Sequence, residues 1–438
     1  MEVGSSFSEL AEWELGLPGF EPLTVVICLD RASVIGGLEK VAIESAIGLK
    51  RAGARPILFA AVGPADRRLA EAGVEVVCLG QRALRSHPSR IAAAWQGVWN
   101  SAAAAALGEL LDRTPPDRTI VHVHGWAGAL SPSIVAPMRA AGRPAIHTIH
   151  DYSLFCPNGG LYNYQREAVC PVPPLSCGCL ATHCDSRTYP RKLWRFGRLY
   201  AARRWLRMAT LFSEHICVSR RQEEIMKPLL PPGARLRRLS NPIDVAKLGP
   251  KADPASGELI FVGRLAPEKG AHLFAQAASR IGVAPTFVGD GPMAETLRRK
   301  FPQARFTGWL PPEQAQAQMR AARALVFPSV WYEAQGLTVL EAKAMGTPVI
   351  VSDVCAGRDE IEDGVSGLWF KSGDVDALAA ALERIRDDSL VARLSRAAYE
   401  SYWRAPPTLE AHVAGLQSIY AEALGRKRAD GAPAVSRP

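Results

Sequence analysis

The 438-residue sequence predicts an α/β protein of two doubly wound parallel-sheet halves facing each other across a cleft. Three observations carry this prediction. Short apolar, β-rich runs alternate with helical patterns along most of the chain, as in a parallel sheet covered by helices. The alternation breaks once, at the Pro-, Gly- and Ala-rich segment VAKLGPKADPASG, and then restarts. Glycine-bearing loops follow several of the runs, at the carboxyl ends of strands where such sheets bind ligands.

Taken in order, LTVVICLD (Leu23–Asp30) is the first strand and Gly36-Gly37 lies in the loop after it. LEKVAIESAIGLKRAG is a helix closing at Gly53, and ARPILFAAV is the second strand. Strands recur at TIVHVHG (Thr119–Gly125), PAIHTIHD (Pro144–Asp151) and EHICVS (Glu214–Ser219). IAAAWQGVWNSAAAAALGELL (Ile91–Leu111) is the most apolar long stretch. Gln96, Asn100, Ser101 and Glu109 interrupt it and its apolar residues recur every three or four, which predicts a globular helix rather than a membrane span. After SNPID (Ser240–Asp244), five further strands are predicted at GELIFVGRL, APTFVGDGP, ARFTGWL, ARALVFPSV and TPVIVSDV. Helical spacing over Pro407–Leu424 predicts a last helix, and the aperiodic RKRADGAPAVSRP behind it a disordered tail. The chain thus divides into an N-terminal extension (1–21), a first domain (22–243), a second domain (244–405), a C-terminal helix (406–425) and a tail (426–438).

The net charge of +9 points to an anionic partner: nucleic acid, anionic lipid or a phosphorylated ligand. The acidic start MEVGSSFSELAEWELG lacks an apolar core, so a cytoplasmic protein without a secretory signal is expected.

WYEAQGLTVLE (Trp331–Glu341) places two carboxylates, Glu333 and Glu341, around Gly336. The strand before it and a helix predicted from Thr338 to Met345 make this a strand–glycine–helix junction. Such a junction offers free N–H groups and a positive dipole end to a phosphate. Glu333 and Glu341 are then placed to accept hydrogen bonds from hydroxyls on either side of that phosphate. The competing reading is a capping box over Thr338–Glu341. In FVGRLAPEKG, Arg264 and Lys269 follow a strand in a glycine-flanked turn. They read either as a solvated basic turn or as two cations that neutralise a diphosphate leaving group without a metal.

With FVGDGP (Phe287–Pro292), GGLEKV (Gly36–Val41), HTIHD (His147–Asp151) and SNPID, these motifs resemble the retaining glycosyltransferases of family 4, over roughly residues 22–425. The resemblance implies the GT-B fold: two Rossmann-like domains facing a cleft, with the C-terminal helix crossing back onto the first domain. It implies a nucleotide-diphosphate sugar as donor, with Glu341 on the ribose and Glu333 on the hexose. Arg264, Lys269 and the backbone around Gly336, Leu337 and Thr338 would meet the diphosphate. Gly37 would let the first domain's loop approach the donor phosphate or acceptor, and His150 would reach the sugar near the reacting carbon, ahead of His147, His122 and His124. No protein nucleophile and no catalytic base is assigned. The family usually has a bulky residue before the loop glycine; here it is Gln335, a polar group expected beside the sugar. Asp374-x-Asp376 resembles a metal-binding motif of another transferase fold, but it precedes the helical ALAAALERI, so capping explains it and no catalytic metal is expected.

Cys156, Cys170, Cys177, Cys179 and Cys184, five of nine cysteines, fall within 29 residues. A reducing compartment disfavours disulfides, which leaves a structural zinc (with His183), unliganded thiols or an iron–sulfur cluster. Ser186–Met208 then carries eight basic residues and no acidic one, with Trp194, Phe196, Tyr200 and Trp205 interleaved. It reads as a helix lying on anionic lipid, or as an amphipathic helix packed on its own domain; no nucleic-acid module is recognisable. The leading reading is therefore a hexosyltransferase of surface polysaccharide or lipopolysaccharide biosynthesis, peripheral on the inner face of the plasma membrane, with a glycan acceptor that is lipid-linked. The alternatives are a GT-B enzyme acting on a small soluble acceptor and a non-catalytic nucleotide-sugar-binding protein.

Overall fold

The computed structural model describes residues 22–431; the expected N-terminal extension and residues 432–438 lie outside the described residues. The first domain contributes β1 (Thr24–Arg31), β2 (Arg55–Val62), β3 (Glu75–Cys78), β4 (Thr119–Val123) and β5 (Ala145–Thr148). A small antiparallel hairpin follows, β6 (Tyr162–Asn163) and β7 (Ala168–Val169), then β8 (Glu214–Cys217) and β9 (Leu236–Arg238). Apart from the hairpin these strands form one parallel sheet in the order β3-β2-β1-β4-β5-β8-β9. The second domain contributes β10 (Leu259–Val262), β11 (Thr286–Val288), β12 (Arg305–Gly308), β13 (Ala324–Phe327), β14 (Val349–Ser352) and β15 (Gly367–Phe370). They form a second parallel sheet, ordered β12-β11-β10-β13-β14-β15. In both sheets the order reverses beside the first strand of the domain, which opens a crevice at the carboxyl ends.

The central strands are unbroken apolar runs because helices cover both faces. Thr24 to Leu29 and Leu58 to Val62 are all buried. On one face of the first sheet Val26, Phe59 and Val121 pack with Leu107, Leu111 and Met138. On the other, Ile27, Leu58 and Ile146 pack with Ile43 and Ile47 of the helix Gly37–Arg51 and with Val413, Leu416 and Tyr420 of the last helix. The last helix therefore crosses back onto the first domain. A Cβ on Gly48 would come within 2.6 Å of Val413, so glycine sets how closely these helices approach.

Several elements differ from expectation. The apolar stretch 91–111 is two helices, Arg90–Val98 and Ser101–Asp112, because Trp99 turns extended and buried Asn100 caps the second helix by accepting from Ala103 N. The last helix runs from Leu409 to Gly431, past the expected end at 425, since the RKRA run consists of good helix formers. Arg426 there pairs with buried Glu214 and with Glu422. The short strands β3, β9 and β15 were not expected; all three sit at sheet edges.

Candidate active site

The second domain supplies one wall of the cleft. β13 ends at Phe327 and its loop leads into the helix Leu337–Ala344, with Gly336 as the N-cap and no side-chain cap. The capping-box reading of Thr338 and Glu341 is thereby corrected: the helix starts at Leu337, so Thr338 lies inside its first turn and Glu341 one turn further on. A Cβ on Gly336 would sit 2.9 Å from Gly357 Cα, so no other residue fits there. The amides of Leu337 and Thr338, at the start of this helix, lack intrahelical acceptors.

Lys269 and Glu333, 64 residues apart, meet beside this helix. Lys269 Nζ donates to Glu333 Oε1 at 2.5 Å, and Ser329 Oγ donates to the same oxygen at 2.9 Å. Glu333 is buried, and Lys269 also lies 5.5 Å over the Trp331 ring. Lys269 ends the short turn Pro267–Lys269 after β10. Gly270 follows with φ 70°, and a Cβ there would strike Pro328 O, so glycine lets this turn lie against the end of β13. Arg264 is exposed and paired with buried Glu268. Burial raises the Glu341 carboxyl above its ordinary value, partly opposed by Lys40 of the first domain.

The first domain supplies the facing wall. Gly37 opens the helix Gly37–Arg51, and a Cβ there would approach Leu337 Cδ1 to 3.3 Å. His150 follows β5 and meets His124, which follows β4, at 2.9 Å between Nε2 and Nδ1. Burial pushes the His150 imidazole down to about 3, so it is neutral at physiological pH. His122 is occupied structurally, its two nitrogens 2.7 Å from Tyr420 Oη and from Thr148 Oγ1. His147 faces His215 at 3.4 Å. Two further residues organise this wall: His124, ranked behind His150 from the sequence, and Asp30, which was not expected. His124 lines the cleft beside His150, and Asp30 accepts backbone N–H bonds from Gly128, Ala129 and Leu130 at 2.6–2.8 Å. Both sit where a strand ends, which is the signal that sequence reading could have used.

Two family models match this arrangement, "Glycosyltransferase Family 4" over residues 35–247 and "Glycosyl transferases group 1" over 256–388. The chain belongs with the GT-B glycosyltransferases. Among curated relatives it is 32% identical over 219 residues to glycogen synthase of Mycobacterium tuberculosis, covering 45% of this chain and 52% of that protein. It is 32% identical over 293 residues to 2-deoxystreptamine N-acetyl-D-glucosaminyltransferase of Streptomyces fradiae, covering 58% and 66%. The match thus spans about half the length of the first of these relatives. Among solved structures, Anabaena HepE in complex with UDP superposes with a TM-score of 0.62 at 15% identity, covering 91% of this chain and 99% of that one.

On this GT-B frame Gln335 departs from expectation, the cysteine readings narrow, and Asp374 caps its helix as expected. Gln335 is buried, and its Oε1 accepts from the backbone N–H of Asn241 at 3.0 Å. It therefore ties the loop to the interdomain SNPID segment, because its side chain reaches across to an otherwise unpaired amide. Cys156, Cys179 and Cys184 are buried, Cys170 is half-buried and Cys177 is exposed, and Cys156, Cys170 and Cys179 lie near enough to Cys184 to help burial raise its thiol. Among the described residues no three His, Cys, Asp or Glu side chains are arranged to hold a metal, so a structural zinc, one of the three readings, has no ready ligand set. Cys156 Sγ instead donates to Asn158 Oδ1 at 3.1 Å, and burial pushes the Cys184 thiol up to about 12. Asp374 caps the helix Val375–Arg384 by accepting from Ala377 N at 3.0 Å, and Asp376 pairs with Arg280.

The basic segment is packed on its own domain. In the helix Tyr189–Tyr200, Lys192 is buried and donates to Leu180 O at 2.9 Å. Arg198 is buried between the Trp126 and Trp194 rings, 5.5 and 4.8 Å away. Among the described residues no helix is long and apolar enough to cross a membrane.

Proposed function

We propose that this GT-B chain moves a hexose from a nucleotide-diphosphate sugar to a glycan acceptor with retention of anomeric configuration, in surface polysaccharide or lipopolysaccharide assembly. One observation carries the reading: Lys269 and Glu333 meet at the carboxyl ends of β10 and β13, beside a helix N-terminus that faces Gly37 across the cleft. Lys269, Arg264 and the amides of Leu337 and Thr338 take the diphosphate, Glu341 the ribose hydroxyls and Glu333 the hexose hydroxyls. The bond from C1 to the phosphate oxygen breaks and its electron pair leaves with the nucleotide diphosphate. The acceptor oxygen bonds to C1 on the same face, and its proton passes to the departing phosphate oxygen. Neutral His150 hydrogen-bonds the sugar beside C1, oriented by His124. Arg264 and Lys269 supply the charge that stabilises the leaving group.

Calorimetric titration with UDP-, GDP- and ADP-sugars in EDTA tests this. One nucleotide class binds, and Glu341→Ala weakens it at least tenfold. Binding by none of them overturns the reading. The same proposal places the protein peripherally on the inner face of the plasma membrane, where a lipid-linked acceptor lies. Support comes from exposed aromatic residues, Trp95 at 71% and Trp205 at 75%. Flotation with anionic vesicles that survives Trp95→Ser and Trp205→Ser together would remove that support.

A further inference from the structure

The cleft carries more positive charge than the donor chemistry uses. A cavity of about 680 Å³ runs from the loops after β4 and β5 to the second-domain turn at Arg264. Arg85, Arg90, Arg191, Arg195 and Arg198 line its first-domain side. The last three stand at i, i+4 and i+7 of the helix Tyr189–Tyr200, so one face of that helix supplies all of them. This is the segment that the sequence read either as a helix on anionic lipid or as one packed on its own domain; its Arg191, Arg195 and Arg198 line the cleft.

The carboxylates on this cavity are already engaged. Asp30 accepts its three backbone N–H bonds, Glu39 is held by backbone groups at Gly36 and Glu39, Asp151 accepts from Ser153 N at 2.8 Å, and Glu268 pairs with Arg264. Arg195 pairs with buried Asp185 at 3.2 Å, and Arg198 donates to Ala127 O at 2.8 Å. Among the described residues neither Arg85 nor Arg191 forms an ion pair. Burial and then the neighbouring Arg195 and Arg187 push the Arg191 guanidinium down to about 10, and burial followed by the same two cations lowers Arg85. Asp185, already paired with Arg195, opposes this only in part at Arg191, and both guanidinium groups stay charged at neutral pH.

We propose that Arg85, Arg191 and Arg195 bind a phosphate or diphosphate group carried by the acceptor. This rests on the glycosyl-transfer reading and names the acceptor class. A single carboxylate satisfies one guanidinium, as Asp185 does for Arg195. A diphosphate presents several oxygens and at least two charges to the remaining forks. The rim suits a lipid-linked source. The helix Arg90–Val98, which sends Arg90, Ala93 and Ala94 into the cavity, exposes Ile91 at 74% and Trp95 at 71% alongside it.

The test is calorimetric titration of the full chain with sodium pyrophosphate, after the donor site has been saturated with whichever nucleotide binds. Pyrophosphate binds, binds at least tenfold more weakly to Arg85→Gln/Arg191→Gln, and binds unchanged to Arg204→Gln, which removes the same charge from an exposed site. No binding, or equal weakening in all variants, overturns the proposal. Should the double variant fail to show a wild-type thermal midpoint, Arg85→Gln alone carries the comparison. Phosphatidylcholine vesicles bearing a polyprenyl diphosphate sugar, and a soluble hexose 1-phosphate, then compete against pyrophosphate. Competition by the vesicles alone assigns a lipid-linked acceptor, and by the sugar phosphate a soluble one; competition by neither refutes an acceptor role. The nucleotide titration is read separately. Its failure overturns the transferase reading, whereas nucleotide binding without pyrophosphate binding leaves transfer to an uncharged acceptor.

Discussion

Replacing Lys269 by methionine would leave Glu333 as a buried carboxylate without its cation. Breaking a fully buried ion pair costs roughly 3–5 kcal/mol. Here the Lys269 side chain is 24% exposed and Ser329 keeps its hydrogen bond to Glu333, which lowers the expected cost to about 2 kcal/mol. At roughly 2–4 °C per kcal/mol, that is a drop of about 4–8 °C in the thermal midpoint of the second domain. The converse change, Glu333→Gln, is milder, at about 1 kcal/mol, because the Lys269 amine can turn to water and the amide can still accept from Ser329. The double variant leaves no buried charge and melts above Lys269→Met. Scanning calorimetry of the four apo proteins measures all of this. The reasoning is refuted if Lys269→Met melts no lower than Glu333→Gln, or if the double variant melts lowest.

Three further outcomes are expected. Burial raises Glu341 from 4.5 in the folded chain, so folding favours its protonated form and that preference is lost as pH rises through the folded value. Glu341→Gln therefore raises the apo thermal midpoint at neutral pH, the gain fades as pH falls towards 4.5, and nucleotide affinity drops; an unchanged midpoint at neutral pH sinks the argument. Gly37→Val adds methyl groups where even a Cβ would lie 3.3 Å from Leu337, so nucleotide affinity should fall about tenfold while the midpoint stays within about 2 °C. Gln335→Leu strands the Asn241 amide and should cost about 1–3 kcal/mol, read as a lower denaturant midpoint with an unchanged slope; no loss would mean that water replaces the bond.

Much of the fold was legible because parallel strands buried on both faces must be apolar throughout. LTVVICLD and ARALVFPSV needed no further information. Edge strands carry half of that signal, which is why β9, Leu236–Arg238 with two arginines in three residues, passed unseen. The motif reading located both glutamates and both cations, but their spacing along the chain says nothing of which touches which. Lys269 meets Glu333 only because Gly270 lets one turn lie against the end of the neighbouring strand.

The sequence by itself determined the two-sheet architecture and the strand–glycine–helix junctions, since periodicity and glycine placement are local properties of a chain. Tertiary structure alone decided where individual side chains point. Gln335, expected beside the sugar, accepts from the Asn241 amide, and Arg191 and Arg195, in a segment read as lipid-facing or domain-packed, line the cleft. A helical period places residues on a common face, but what that face meets depends on packing between segments far apart in the chain.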